Sequence, residues 1–120
     1  MDFKKTTSNL FLLFWYLKNR PWMWLVDRNL LSLQWFIQWY IMSLYSHDNE
    51  VLFEKYDSIL SKFYQYIHLK LDWKFWVNFL WWQLILLEAN NDQEKAFNLF
   101  FELFDEFKKE KGIEYEEVNP

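Results

Sequence analysis

Residues that break helices are almost missing from this chain. Gly112 is the only glycine, and Pro21 and Pro120 are the only prolines, among 120 residues. A sheet of many strands needs frequent tight turns, which glycine and proline usually supply. The scarcity therefore favours a few long helices joined by turns of Asn, Asp and Ser, and we expect an all-α fold.

Apolar residues recur at helical spacing in five segments, most of which follow a residue that can cap a helix. The predicted helices run from the cap Thr7 or Ser8 to about Asn19, from Leu30 (capped by Asn29) to about Tyr45, from Leu52 to about His68, from Asp72 to about Glu88, and from the cap Asn91 or Asp92 to about Gly112. The fourth is apolar on most sides, so we expect it at the centre of the bundle. The pattern predicts one compact domain of about five helices over residues 1–112, followed by an acidic tail over residues 113–120.

Few residue types that carry chemistry are present. Cysteine is absent and there are two histidines, His47 and His68, neither of which lies in a known motif. A single glycine cannot form a phosphate-binding loop, and two histidines without cysteine leave a transition-metal site short of ligands. We therefore expect binding rather than catalysis, with no metal and no cofactor. The lack of cysteine also suits a cytoplasmic protein.

Membrane insertion is not expected, although 52% of the residues are hydrophobic. The longest uninterrupted apolar stretches are about eight residues, well short of the roughly 18 that span a bilayer. Two lysines precede the apolar run 10–17, as in a signal peptide, but no cleavage site of small residues follows. An amphipathic helix packed in the bundle is the favoured interpretation of that run.

Acidic residues are concentrated at the end of the chain. The formal net charge is −4, and residues 91–120 hold nine acidic side chains against four lysines. A nucleic acid would be repelled by this part of the chain, whereas a basic protein would be attracted. The candidate partner-binding acids are Glu102, Asp105, Glu106, Glu110, Glu114, Glu116 and Glu117. The alternative is a solvated face that keeps an aromatic-rich protein soluble.

Nine tryptophans are more than one small core usually needs. Core packing is expected for most of them, while one or two are expected to be exposed anchors for a partner. Trp22 is the strongest candidate for exposure because it occupies a turn position, and Met23 and Trp24 are expected in the core. A small-ligand pocket between helices and a self-association interface are the alternative uses of the surplus aromatic residues.

Residues 20–40 read RPWMWLVDRNLLSLQWFIQWY. This segment resembles a pattern of small bacterial immunity proteins of polymorphic toxin and contact-dependent growth inhibition systems, Arg-Pro-Gly-Met-Tyr-Leu-Gly followed after a short gap by Leu-x-x-Phe-Ile-x-Gly-Tyr. The residues that match are Arg20, Pro21, Met23, Leu25, Leu33, Phe36, Ile37 and Tyr40. The resemblance covers about a sixth of the chain.

The resemblance implies a protein that binds a cognate toxin domain, often a nuclease, and blocks its active site or substrate groove. Trp22, Val26 and Trp39 stand where the pattern has glycine. If those glycines allow a tight turn and a close contact between helices, bulky side chains at the same positions are expected to strain both. With such a partner, the acidic end of this chain would mimic the charge of a nucleic acid and speed association with a basic toxin.

Overall fold

The chain forms a single all-α bundle, as predicted. A computed structural model describes residues 9–25, 27–46, 49–75 and 79–112, with the backbone alone at 72–75. The helices are α1 (Leu10–Asn19), a short 3-10 helix (Pro21–Met23), α2 (Leu30–Ser46), α3 (Glu50–Phe75), α4 (Trp81–Glu88) and α5 (Gln93–Glu110). Among these helices, none is both long enough and apolar enough to cross a bilayer. The predicted tail 113–120 lies outside the described residues.

Polar side chains begin three of the helices. Asn9 caps α1 by accepting hydrogen bonds from two backbone N–H groups of the first turn, one or two positions after the caps expected from the sequence. The Asn29 side chain accepts from the Leu31 N–H at 2.9 Å, and the Asp92 side chain accepts from the Lys95 N–H at 3.0 Å. The predicted caps of α2 and α5 are therefore confirmed.

Left-handed residues end the last two helices. Asn90 and Asn91 follow α4 with φ of 55° and 62°, and Gly112 follows α5 with φ of 61°. Asparagine tolerates this backbone region better than most residues, and glycine adopts it freely. The break at 90–91 and the glycine after the last helix are thus both confirmed.

The third and fourth predicted helices have different bounds in the structure. Helix α3 continues past His68 and through Asp72 to Phe75, so Asp72 is inside a helix and is not a cap. Buried residues at 56, 60, 63, 67 and 71 continue the helical period without glycine or proline, and nothing in the sequence interrupts it. The fourth helix is shortened to the eight residues of α4, and only Leu84 and Ile85 of that helix are buried.

Helix α5, rather than the fourth helix, is the centre of the bundle. It packs against α2, α3 and α4, and its phenylalanines also meet the phenylalanines of α1. Its buried side chains are Ala96, Phe97, Phe100, Phe101, Leu103, Phe104 and Phe107. The helical spacing of Phe97, Phe100, Phe101, Phe104 and Phe107 in the sequence predicts that they face the core, and the structure confirms this. The centre is α5 and not α4 because α5 keeps one wholly apolar face over five turns, whereas α4 is too short to do so.

The starts of α2 and α5 are linked by one side chain. The Gln93 Oε1 atom accepts a hydrogen bond from the Leu30 N–H at 3.1 Å and a longer one from the Leu31 N–H at 3.4 Å. Both donors belong to the first turn of α2, where no carbonyl of the same helix is available to them. Gln93 therefore completes the cap that Asn29 begins.

The buried Tyr40 and the half-buried Tyr64 predict a loss of stability in alkali. Burial raises the pKa of Tyr40 and of Tyr64, and the neighbouring Tyr56 and Asp57, respectively, raise it further. The unfolded chain ionises its tyrosines near pH 10. The folded chain holds these two phenols neutral, so above that pH it binds more protons than the unfolded chain. The free energy of unfolding therefore keeps its full value below pH 10 and decreases as the pH rises above 10.

The expected slope is up to about 1.4 kcal/mol per pH unit for each tyrosine. Urea unfolding between about pH 8 and pH 11 measures it. The double variant Tyr40→Phe, Tyr64→Phe should show a shallower decline over that range. An unchanged decline would show that these phenols are not its source.

Candidate functional site

The seven acidic residues predicted to bind a partner divide between helix α5 and the segment after it. Three of them lie outside the described residues: Glu114, Glu116 and Glu117. The other four lie on the outer side of α5, away from its buried phenylalanines: Glu102, Asp105, Glu106 and Glu110. Exposed carboxylates at 102, 106 and 110 follow every four residues, so they share one helical face.

Asp105 is held by cations of its own chain. The Lys18 Nζ atom at the end of α1 lies 3.6 Å from Asp105 Oδ2, and the Lys108 Nζ atom lies 3.3 Å from Asp105 Oδ1. The pair of Lys18 and Asp105 is half-exposed and is worth at most about 1 kcal/mol, whereas the Lys108 side chain is only 12% exposed. Their effect here is to neutralise the carboxylate and to tie α1 to α5.

Glu106 has partners on α3. It accepts hydrogen bonds from the Lys70 ammonium group and, at 3.3 Å, from the Tyr66 hydroxyl. The hydrogen bond to Glu106 raises the pKa of Lys70, so the ammonium group stays charged through the neutral range. Asp105 and Glu106 are therefore partly engaged within the fold, and Glu102 and Glu110 are the α5 carboxylates of the predicted set that lie outside these ion pairs.

The two histidines do not form a site in the described structure. His68 is half-buried in the middle of α3, and His47 lies outside the described residues. In the part of the chain that the structure describes, no three His, Asp or Glu side chains are grouped to hold a metal ion.

The segment after α1 agrees with its prediction in part. Trp22 is 69% exposed, as expected. Trp24 is half-buried and its ring lies 5.7 Å from the Phe36 ring of α2. Met23 is 40% exposed, so its predicted place in the core is wrong. The cause is the short 3-10 helix, which begins at the buried Pro21 and turns the next two side chains outward.

Tryptophan at two of the three glycine positions of the related pattern causes no clash. Trp22 and Trp39 are 69% and 59% exposed, and neither has a positive φ. The expected strain is therefore absent at both positions, because each indole points to solvent and neither backbone requires glycine. Val26, the third position, lies outside the described residues.

Helix α2 presents an exposed aromatic face, which we define as Trp35, Trp39, Met42 and Tyr45. These four side chains are between 54% and 65% exposed. Their spacing of four, three and three residues places them on one side of the helix. The helix has no charged residue from Leu30 to Ser46. Isolated exposed apolar residues are ordinary on protein surfaces, whereas a group on one side of a helix is a candidate interaction site.

Trp35 and Trp39 are among the tryptophans that do not pack in the core. The opposite side of α2, with Leu33, Ile37 and Tyr40, is the side that is buried. Residues two positions from a buried stripe point about 200° around the helix from it. The helical period of the sequence predicts an inner stripe of Leu33, Phe36, Ile37, Tyr40 and Leu44, which leaves both tryptophans off the stripe.

A groove with a volume of about 290 Å³ lies between α2, α3 and α4. Its apolar walls are Ile37, Ile41, Phe53, Leu60, Tyr64 and Trp81. The rings of Tyr64 and Trp81 are stacked, with centroids 4.5 Å apart and planes at 5°. Exposed side chains also line the groove, namely Gln38, Met42 and Asp57. Because Met42 also belongs to the aromatic face, the groove and the face form one continuous surface.

Comparison of the chain with models of protein families, with curated proteins and with solved structures gives no match. The resemblance to immunity proteins therefore depends on the residues between 20 and 40 named above, and the role it implies stays a prediction. The surfaces that bear on function are the acidic side of α5, the aromatic face of α2 and the groove beside it.

Proposed function

We propose that this chain is an immunity-type protein, which binds a toxin domain and blocks the active site of that domain. The observation that carries the proposal is the aromatic face of α2, an exposed group of apolar anchors on a helix without charge. The resemblance of residues 20–40 supports the class of partner. In this proposal the chain acts by binding and performs no reaction itself.

The aromatic face has the properties of a binding hot spot. Trp35 and Trp39 are 65% and 59% exposed, which leaves roughly 100 Å² or more of each side chain to be covered. Burial of that area contributes about 2.5 kcal/mol per indole at roughly 25 cal/mol per Å². Tryptophan and tyrosine are enriched among residues whose truncation weakens binding most. A regular helix also holds these anchors in place before the partner arrives, which lowers the entropic cost of association.

The acidic charge of this chain supports the proposal that its partner is basic. The chain has a net charge of −4, and Glu102 and Glu110 are exposed on α5. Toxin domains that cleave nucleic acids carry basic substrate grooves, because they must bind a phosphate backbone. Acidic side chains speed encounter with such a groove and contribute more to the association rate than to the final affinity.

Reversal of two acids tests this contribution. The variant Glu102→Lys, Glu110→Lys is expected to lower the association rate with the toxin domain by about tenfold at low salt and by much less at about 0.5 M salt, where charges are screened. Stopped-flow mixing at the two salt concentrations measures both rates. The matched control is Glu50→Lys, Glu54→Lys, which changes the net charge equally on exposed positions of α3. An equal loss in both variants would show that net charge, and not this face, attracts the partner.

The function itself is tested in cells. The candidate toxin is the protein encoded by the reading frame beside this one. We expect its expression to stop growth and co-expression of this chain to restore growth. Growth that is not affected by the neighbouring protein, or toxicity that this chain does not relieve, would contradict the proposal.

Self-association is the second candidate use of the same surface. Two copies of a chain with net charge −4 repel each other over most of their surface, but α2 carries no charge and can pair with α2 of a second copy. Sedimentation at several concentrations distinguishes the two uses. A stable dimer whose formation requires Trp39 would favour an oligomeric module over an immunity protein.

A further inference from the structure

We infer that the groove between α2, α3 and α4 receives one long basic side chain, lysine or arginine, from the protein that covers the aromatic face. The identity of that protein as a toxin domain rests on the proposed function. The chemistry of the groove stands on its own residues.

The size of the groove suits a single side chain. Pockets that bind small molecules measure roughly 300–1,000 Å³. At about 290 Å³ the groove is at the lower end of that range. Its walls are apolar over most of their length, with Ile41 on one side and Leu60 on the other. The aliphatic stem of lysine or arginine packs well on such walls while its charged end remains near solvent.

The charge of the groove selects a cation. Asp57 is the only charged side chain among the described residues that line it, and it is exposed. Beside it, Tyr64 stays neutral because burial raises the pKa of its phenol. The Gln34 amide donates to the Gln38 side chain at 3.1 Å, so these two lining residues are polar but carry no charge. One carboxylate with neutral surroundings attracts a cation and repels an anion.

The stacked pair of Tyr64 and Trp81 makes one wall of the groove rigid. The two rings are parallel, with centroids 4.5 Å apart. Arginine is one of the residues most often found as an anchor in interfaces, so a guanidinium group is a suitable first probe.

The position of the groove links it to docking on α2. Gln38 and Met42 are exposed on α2 and also line the groove. A protein that covers the aromatic face therefore also covers the mouth of the groove. Removal of water there strengthens the attraction between Asp57 and the inserted cation.

The first experiment uses n-butylguanidinium as the probe and the neutral n-butylurea as its matched control. We expect the cation to shift the NMR signal of the Trp81 indole N–H and to bind at least fivefold more tightly than the urea. Asp57→Asn should remove this preference, and Glu54→Gln, an exposed acid one turn earlier on α3, should leave it unchanged. Equal binding of both probes, or equal binding by the Asp57→Asn variant, would overturn the inference.

The second experiment measures the rate at which the toxin domain dissociates from this chain. Asp57→Asn is expected to raise the dissociation rate at least tenfold, while Glu54→Gln keeps the parent rate. If Asp57→Asn has no effect but loss of the aromatic face abolishes binding, the groove inference fails and the proposed function stands. If no toxin is found, the proposed function fails, and the probe experiment still decides whether the groove binds a cation. The exposure of Asp57 makes a folding defect unexpected, and thermal unfolding of both variants checks this.

Discussion

Replacement of Phe63 by alanine is expected to lower the free energy of unfolding by about 3–5 kcal/mol. Phe63 is fully buried, and its ring centroid lies 5.3 Å from that of Phe100, 4.9 Å from that of Phe104 and 5.4 Å from that of Phe107. The substitution removes both apolar contacts and favourable ring geometry, and rigid neighbours on α5 cannot fill the space. Domains of this size are stable by about 5–15 kcal/mol, so the loss is a large part of the total.

Urea unfolding at 25 °C measures this loss as a lower midpoint with an unchanged slope. The control is Leu69→Ala, a large-to-small change on the same helix at a side chain that is 81% exposed. This control substitution should lower the free energy of unfolding by less than about 0.5 kcal/mol. Similar values for the two variants would contradict the central position of the phenylalanine cluster.

The double variant Trp35→Ala, Trp39→Ala is expected to weaken binding of the toxin domain at least 100-fold. Each indole is more than half exposed in the free protein, so its loss removes partner contacts and little of the fold. Truncation of one hot-spot residue costs about 2 kcal/mol or more, which corresponds to roughly a 30-fold change in affinity. The effects of substitutions at neighbouring positions do not add fully. The factor expected for the pair is therefore smaller than the product of two 30-fold losses.

Titration calorimetry gives the affinity, and thermal unfolding shows whether the variant remains folded. Trp39 also contacts the Phe36 ring at 5.8 Å, so a loss of stability of up to about 1 kcal/mol is expected from that side chain. The matched control is Val51→Ala, Leu80→Ala, which removes apolar groups that are 79% and 58% exposed elsewhere on the surface. Affinity within threefold of the parent protein in the tryptophan variant would exclude the aromatic face as the docking surface.

Local signals in the sequence were sufficient for most of the fold. Asn29, Asp92, the 90–91 break and Gly112 act within one turn of the residues they cap or end, and all of them were predicted. Their effect depends on short-range hydrogen bonds and backbone preference, which a sequence shows directly.

The errors arose where a residue has more than one permitted role. Asp72 is a good cap, but it also tolerates a helix interior when the apolar period continues on both sides, and the period decided the outcome. The site was harder to predict because exposure depends on what the other helices cover. The helical period places Trp35 and Trp39 off the buried stripe of α2, but the arrangement of the bundle decides that no other helix covers them. The groove depends on three helices that meet at residues distant in sequence, so no local pattern indicates it.

The link from Gln93 to Leu30 joins residues 63 positions apart. The ribosome synthesises α1, α2 and α3 first and α5 last. The first three helices therefore cannot pack on α5, the centre of the bundle, until α5 has left the ribosome. Until then the nascent chain exposes phenylalanines and tryptophans together, which makes it prone to aggregation. A translational stall between α4 and α5 would therefore yield a chaperone substrate rather than a partly folded domain.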